Sequence, residues 1–325
     1  VFFVQFINLL ICLLNIIIIK KRYKYELIYV LKSFKFNKKI FDLTKNMAIA
    51  SVIISVSWIL YYELDLVYVS KLYSTSVVAF FAIGVTILSF SRNLMNIIFS
   101  PFQAKFNHLR GLKDEKSLNK IFFQIIELSF PISIISTLVI LVLMEPLIIS
   151  WIGIEYIKSI LIGKILITTL MFSFLLVPIS YLAFAREKYF FIKLNAVSLP
   201  ILYFSFFYIF QFQFDELAIP ISKALTIFCN LIINMFFIKH IINESIVPVL
   251  KRTFRDIIIP LILLTILLFV LEPFWNIGFE KQLNDFLQVV TVGGFIGIIP
   301  ILTYYCINTN CRKLIQDFLN SVLRK

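Results

Sequence analysis

Histidine is almost missing from this chain, which holds only His108 and His240. The two are far apart in sequence, both in or beside basic gaps, and form no basis for a catalytic triad or a metal centre. Cysteine is scarce as well. Cys12, Cys229, Cys306 and Cys311 all fall outside the gaps that read as outward-facing, so no disulfide is expected. The Cys306–Cys311 spacing has no histidine nearby and is a poor metal motif. No cofactor is implied. Alternating segments of about 10 residues, the mark of a membrane barrel, are absent. Long polar stretches are absent too: the gaps read as outward-facing are short, the longest running roughly over 272–285, and none has room for a soluble domain.

What fills the chain instead is apolar sequence. Hydrophobic residues make up 60% and the mean hydropathy is +0.95, against roughly 45–50% apolar in soluble domains. Nine apolar runs lie near 1–19, 47–68, 77–100, 121–143, 160–184, 191–212, 217–239, 256–273 and 286–307. About 20 residues of helix cross a hydrocarbon core of about 30 Å, and lipid leaves unpaired backbone groups no partner, so the runs are predicted to be helices. The fold class expected is all-α: a polytopic membrane bundle of about nine transmembrane helices, the second half of a two-bundle transporter.

Charge orders these runs. Of the 31 Lys and Arg, 25 lie in 20–46, 104–120, 186–193, 239–255 and 308–325. The intervening gaps carry Glu145, Glu155, Asp215, Glu216, Glu280 and Asp285, with only Lys71, Lys158 and Lys281. Lys and Arg are retained on the cytoplasmic side during insertion, so the alternation predicts a cytoplasmic C-terminus and puts Val1 outside. An outward Val1 in a nine-crossing chain is an expectation of earlier crossings. The +13 net charge is accounted for by this topology rather than by nucleic acid, which is not an expected partner. Membrane lipids are: the 20–46 gap, with nine cations, is the candidate for contact with an anionic leaflet and for a surface helix carrying Tyr23, Leu27, Ile28 and Leu31.

Polar residues inside the runs are the candidates for function. Lys164 and Lys223 lie near the outer ends of their runs and Glu127 and Asp256 near the basic ends, where long or terminal side chains are expected to reach the interface. Arg92 lies well inside its run. Thr86, Ser89, Arg92, Asn93, Asn96, Ser100 and Gln103 share an arc of about 120° at helical periodicity, which predicts a face turned to a hydrated cavity rather than lipid. Arg92 there is available to an anionic group such as phosphate. Trp58, Tyr61, Tyr62, Asp65 and Tyr68 share one side of the preceding helix, as an aromatic belt or as a cavity rim whose carboxylate accepts sugar hydroxyls or a coupling cation. Pro131, Pro178, Pro200, Pro260 and Pro300 predict kinks or breaks, and Gly293 with Gly297 predicts close helix packing.

The run ELDLVYVSKLYSTSVVAFFAIG (63–84), NIIFSPFQAKF (96–106), SWIGIEY (150–156) and LAFAREKYFFIKLN (182–195) resemble the middle of the polysaccharide repeat-unit flippases, in the multidrug/oligosaccharidyl-lipid/polysaccharide exporter superfamily. Asp65, Val78, Ala79, Pro101, Trp151, Gly153, Tyr156 and Asn195 match the pattern, with Phe81 in place of the usual Tyr and Pro101 closing its helix. The resemblance implies 1–19 as the last helix of a first bundle, 20–46 as a cytoplasmic connector, and 47–240 as a six-helix second bundle. It further implies 256–307 as two additional helices and 308–325 as a cytoplasmic tail. It implies a non-enzymatic carrier in the cell inner membrane, moving undecaprenyl-diphosphate-linked oligosaccharide by alternating access for O-antigen or capsule assembly, beside a glycan polymerase and other assembly proteins. The substrate-binding residues expected on that reading are Arg92, Asn93, Asn96, Ser89, Asp65 and Lys223. A cation-coupled drug or metabolite antiporter of the same superfamily would need a deep carboxylate, for which Asp65 is the candidate. A membrane glycan polymerase or glycosyltransferase would need a sizeable outer loop, which is lacking.

Overall fold

The computed structural model describes residues 2–23, 37–242, 244–275 and 283–323. Of the surface helix expected in 20–46, Leu27, Ile28 and Leu31 lie outside the described residues. The chain forms two compact units, Val1–Ala48 and Ile49–Lys325. In the first, the run near 1–19 is helical, α1 (Phe2–Tyr23), with a described apolar stretch, Leu9–Ile18, shorter than a crossing. Helix α2 (Lys38–Trp58) starts where the Asn37 side chain accepts from the Lys39 and Ile40 amides at 3.0 and 3.3 Å, satisfying donors that a first turn leaves free. The last residues of the expected connector are therefore already helix.

The rest of the chain is all-helical among the described residues. A π-turn (Ile59–Glu63) leads into α3 (Asp65–Leu72), followed by α4 (Thr75–Gly111) and α5 (Glu115–Ile152). Then come α6 (Lys158–Ala185), α7 (Tyr189–Phe210) and α8 (Ala218–Phe237). Last are α9 (Val247–Val270), α10 (Leu283–Ile307) and α11 (Thr309–Leu323). Eight helices among the described residues are long and apolar enough to cross a membrane, and the protein is a multi-pass membrane protein.

Helices α5 and α6 are apolar on every side and so sit at the centre. α6 packs against α4, α5 and α8; α7 covers α8; α9, α10 and α11 lie on α5. Gly153 ends α5 at φ +110°, a conformation that side chains bearing a Cβ seldom adopt, and Tyr156 in the turn beyond it meets Phe80 edge-on. Pro131, Pro178, Pro200, Pro260 and Pro300 all lie inside helices and none breaks its helix. Pro101 does not close α4 as expected: the helix continues to Gly111. At about 1.5 Å per residue, its 37 residues span about 55 Å, so its final turns project beyond the apolar core. Gly293 does bring α10 close, since a Cβ there would meet Leu143 Cδ1 at 2.5 Å; Gly297 has ordinary clearance.

Gly84 of α4 faces Gly163 of α6, and a Cβ on Gly84 would lie 3.2 and 3.3 Å from backbone atoms of Gly163. Backbone cannot step aside, so Gly84→Ala is expected to cost about 1–3 kcal/mol. The Cβ of Gly163→Ala would meet the tip of Met144 at 2.9 Å, a side chain that can swing away. Thermal unfolding in detergent should place Gly84→Ala clearly below Gly163→Ala.

The two kinds of gap separate in space. At one end Arg186 binds Glu115 and Asn119 and donates to the Ile241 carbonyl, and Asn119 donates to Glu244. Gln124 reaches the Asn310 carbonyl at the same end. This joins gaps 104–120, 186–193, 239–255 and 308–325. At the other end, Tyr73 donates to the Asp215 carbonyl at 2.7 Å. The charge alternation is thus a physical division of the bundle into a basic end and an acidic end.

Candidate functional site

The strongest polar constellation lies toward the acidic end, where the π-turn interrupts the span Thr44–Leu72. The Leu64 amide reaches back five residues to the Ile59 carbonyl at 3.2 Å; such widened turns recur at functional positions. The turn carries Tyr61 inward, 1% exposed, and leaves Asp65 as the first residue of α3, 2% exposed. From α8, Lys223, also 2% exposed, forms an ion pair with Asp65. The two chain segments clasp each other: the Lys223 ammonium donates to the Tyr61 carbonyl at 2.6 Å, and the Tyr61 hydroxyl donates to the Lys223 carbonyl at 2.9 Å. Tyr203 of α7, 1% exposed, donates to Asp65 Oδ1 at 3.3 Å.

Aromatic faces enclose the cations. The Lys223 ammonium lies 4.7, 5.1 and 5.8 Å from the ring centres of Tyr61, Tyr62 and Tyr203. Arg92, near the middle of α4, sets its guanidinium 4.3 Å from the Tyr62 ring centre and 4.9 Å from that of Trp58. Such contacts hold a cation without neutralising it. Arg92 makes no ion pair among the described residues. The buried carboxylate is committed to Lys223, and the two cations share the Tyr62 ring.

This geometry divides the expected substrate-binding set. Arg92 is half-buried, its planar group resting on the Trp58 and Tyr62 rings, with no carboxylate paired to it among the described residues. On the same helix Ser89 is half-buried, while Thr86, Asn93, Asn96, Ser100 and Gln103 are exposed. The polar stripe is an open face of this chain rather than the lining of a cavity closed within it. Lys223 does not reach the interface as expected: the Asp65 carboxylate and the Tyr61 carbonyl hold it inside. Asp65 is likewise neither a belt residue nor an open rim carboxylate. Lys164 is half-buried on α6.

Beside the site, Val52, Val56, Leu60, Pro200, Ile201 and Phe204 line an apolar groove of about 540 Å³ between α2 and α7. Its last member, Phe204, packs on Tyr203 at 5.1 Å between ring centres, so the groove adjoins the charged cluster.

Two further polar clusters escaped the sequence reading. On α7 and α8, Asn234 donates to Asn195 Oδ1 at 2.8 Å and Asn230 to Ser198 Oγ at 2.9 Å. Asn230 and Asn234 are buried, and their four-residue spacing, which places them on one helix face, was the available signal. Near the basic end, Glu127 of α5 is fully buried and forms an ion pair with Arg252 of α9; it also accepts from Asn310 at 3.2 Å. Glu127 is therefore not interfacial as its position near a run end suggested, and Arg252, counted among topological charges, has a structural partner. Asp256 is bound by Arg255 and Asn308 at 3.0 Å each. Among the described residues no group of three or more His, Cys, Asp or Glu converges as a metal site.

No protein-family model and no curated protein matches this chain.

Proposed function

We propose that this chain belongs to a transporter that translocates isoprenyl-diphosphate-linked oligosaccharide across the inner membrane, with the basic end and the C-terminus facing the cytoplasm. The observation that carries the reading is Arg92: a cation near the middle of α4, held by the rings of Trp58 and Tyr62, without an acidic partner among the described residues, beside exposed polar residues of the same helix. A diphosphate is the kind of anion such a guanidinium binds, through paired N–H donors. The exposed amides of Asn93 and Asn96 suit sugar hydroxyls. The apolar groove between α2 and α7 suits the isoprenyl chain, which would need a dry slot next to the charged headgroup. On this reading α2 to α8 form the second bundle of a two-bundle carrier and α9 and α10 an additional pair. Alternating access then carries the headgroup along the α4 stripe, and a glycan polymerase receives the product.

The pairing of Asp65 with Lys223 favours this cargo over that of a cation-coupled antiporter. A coupling carboxylate must exchange a proton or metal cation, and here both oxygens of the candidate are engaged, one by Tyr203 and the other by Lys223. The test is deletion of the gene in its host. Lipid-linked repeat units are expected to accumulate while surface glycan disappears. Normal surface glycan together with raised drug sensitivity would support the antiporter instead.

A further inference from the structure

At the basic end, outside the site above, Arg252, Arg255, Asp256, Asn308, Thr309 and Asn310 line a cavity of about 430 Å³ at the elbow between α10 and α11. Its hydrogen-bond bookkeeping is lopsided. Each carboxylate oxygen already holds a donor: Glu127, behind the wall, takes Arg252 on one oxygen and Asn310 on the other, and Asp256 takes Arg255 on Oδ1 and Asn308 on Oδ2. The arginines keep donors in reserve. Arg252 keeps a buried Nε–H with no partner, though its side chain is 42% exposed, and Arg255 is 74% exposed. Asn308 also accepts from the Cys311 amide of α11 at 2.9 Å. The spare capacity at the cavity is thus a set of N–H donors on the two arginines. Such a set fits an anion, and two guanidinium groups one helical turn apart fit the oxygens of a phosphate.

The cavity's depth narrows the ligand further. Ile307, in its wall, is the last residue of the apolar helix α10, and Ile259, 58% exposed on α9, forms the opposite lip. The arginines thus stand where apolar surface gives way to polar, the level occupied by lipid headgroups. We infer that this cavity is a binding site for a phosphate group, supplied by the headgroup of an anionic phospholipid or by free phosphate, independent of the Arg92 site. The Arg252–Glu127 ion pair ties α9 to α5 and the Asn308–Asp256 hydrogen bond ties it to the elbow, so the ligand would sit on a preformed support.

The test uses the full chain purified in detergent, with phosphatidylglycerol, phosphatidylcholine or inorganic phosphate as probe. Arg255→Gln removes the more exposed arginine without stripping Glu127 of its partner. Lys188→Gln, at the same end but outside the cavity, controls for general surface charge. Native mass spectrometry is expected to show a one-to-one phosphatidylglycerol adduct, favoured over phosphatidylcholine, that falls about tenfold in Arg255→Gln and persists in Lys188→Gln. Thermal stabilisation by phosphate that Arg255→Gln alone abolishes, without lipid preference, would support the same site with free phosphate as its ligand. Binding of neither probe, or equal loss in both variants, would overturn the inference.

Discussion

Replacing Lys223 by methionine is expected to destabilise the protein by about 3–5 kcal/mol, the cost of leaving a buried carboxylate without its partner. Asp65 is 2% exposed and sits among Tyr61, Tyr203 and the π-turn, so burial leaves a bare charge there poorly solvated. The loss should be largely reversed in the double variant Asp65→Asn/Lys223→Met, because the amide still accepts from Tyr203 and no charge remains inside. Reversible unfolding in mixed micelles measures both. Recovery in the double variant would identify the pair as coupled. Single and double variants equally destabilised would mean that Lys223 acts mainly through its clasp with the Tyr61 backbone rather than through its charge.

The second large effect is on transport. Arg92→Ala in the intact protein is expected to reduce surface glycan to near background while leaving membrane insertion and thermal stability close to wild type. The guanidinium lies on aromatic faces at 4.3 and 4.9 Å, contacts worth about 0.5–1 kcal/mol where solvent reaches. Its bonds to a diphosphate would be charge-assisted and worth about 1.5–3 kcal/mol each. The substitution should thus barely touch the fold and heavily touch the cargo. Arg92→Lys should keep part of the activity if a point charge suffices, and little if the cargo is held by a paired fork. Quantifying surface glycan against protein level in the membrane separates these outcomes, and unchanged glycan in Arg92→Ala would remove Arg92 from the mechanism.

Much of the architecture was legible in the chain because lipid enforces a simple code. Apolar runs must be helices, and alternation of Lys and Arg must sort the gaps by side; the convergence of Arg186, Glu115, Asn119, Glu244 and Ile241 at one end is that code made physical. Arg92 was legible for a related reason: an arginine at mid-run has neither a topological role nor an escape to the interface. The partnerships were not legible. Lys223 looked free to snorkel because its depth was judged along its own helix alone, whereas Asp65 and the Tyr61 carbonyl come from a segment about 160 residues earlier. Tyr203 carried no distinguishing signal within an aromatic-rich run. The π-turn was hidden as well, since Ile59–Glu63 continues an apolar helical pattern and contains no proline or glycine. Pro101 is the opposite case: the sequence pattern makes it a stop, but α4 runs through it, as membrane helices can when neighbours and local adjustments satisfy the freed carbonyl.

On the proposed function, a lipid-diphosphate oligosaccharide crosses the bilayer along the face marked by Arg92. The most direct test reconstitutes the intact protein into vesicles whose inner leaflet carries an isoprenyl-diphosphate oligosaccharide and measures the appearance of the glycan outside with a membrane-impermeant lectin. Protein-dependent exposure of the glycan is expected, falling about ten- to a hundredfold in Arg92→Ala, the range set by losing one charge-assisted bond of about 1.5–3 kcal/mol. Exposure no faster than in protein-free vesicles, or equal rates for wild type and Arg92→Ala, would contradict it.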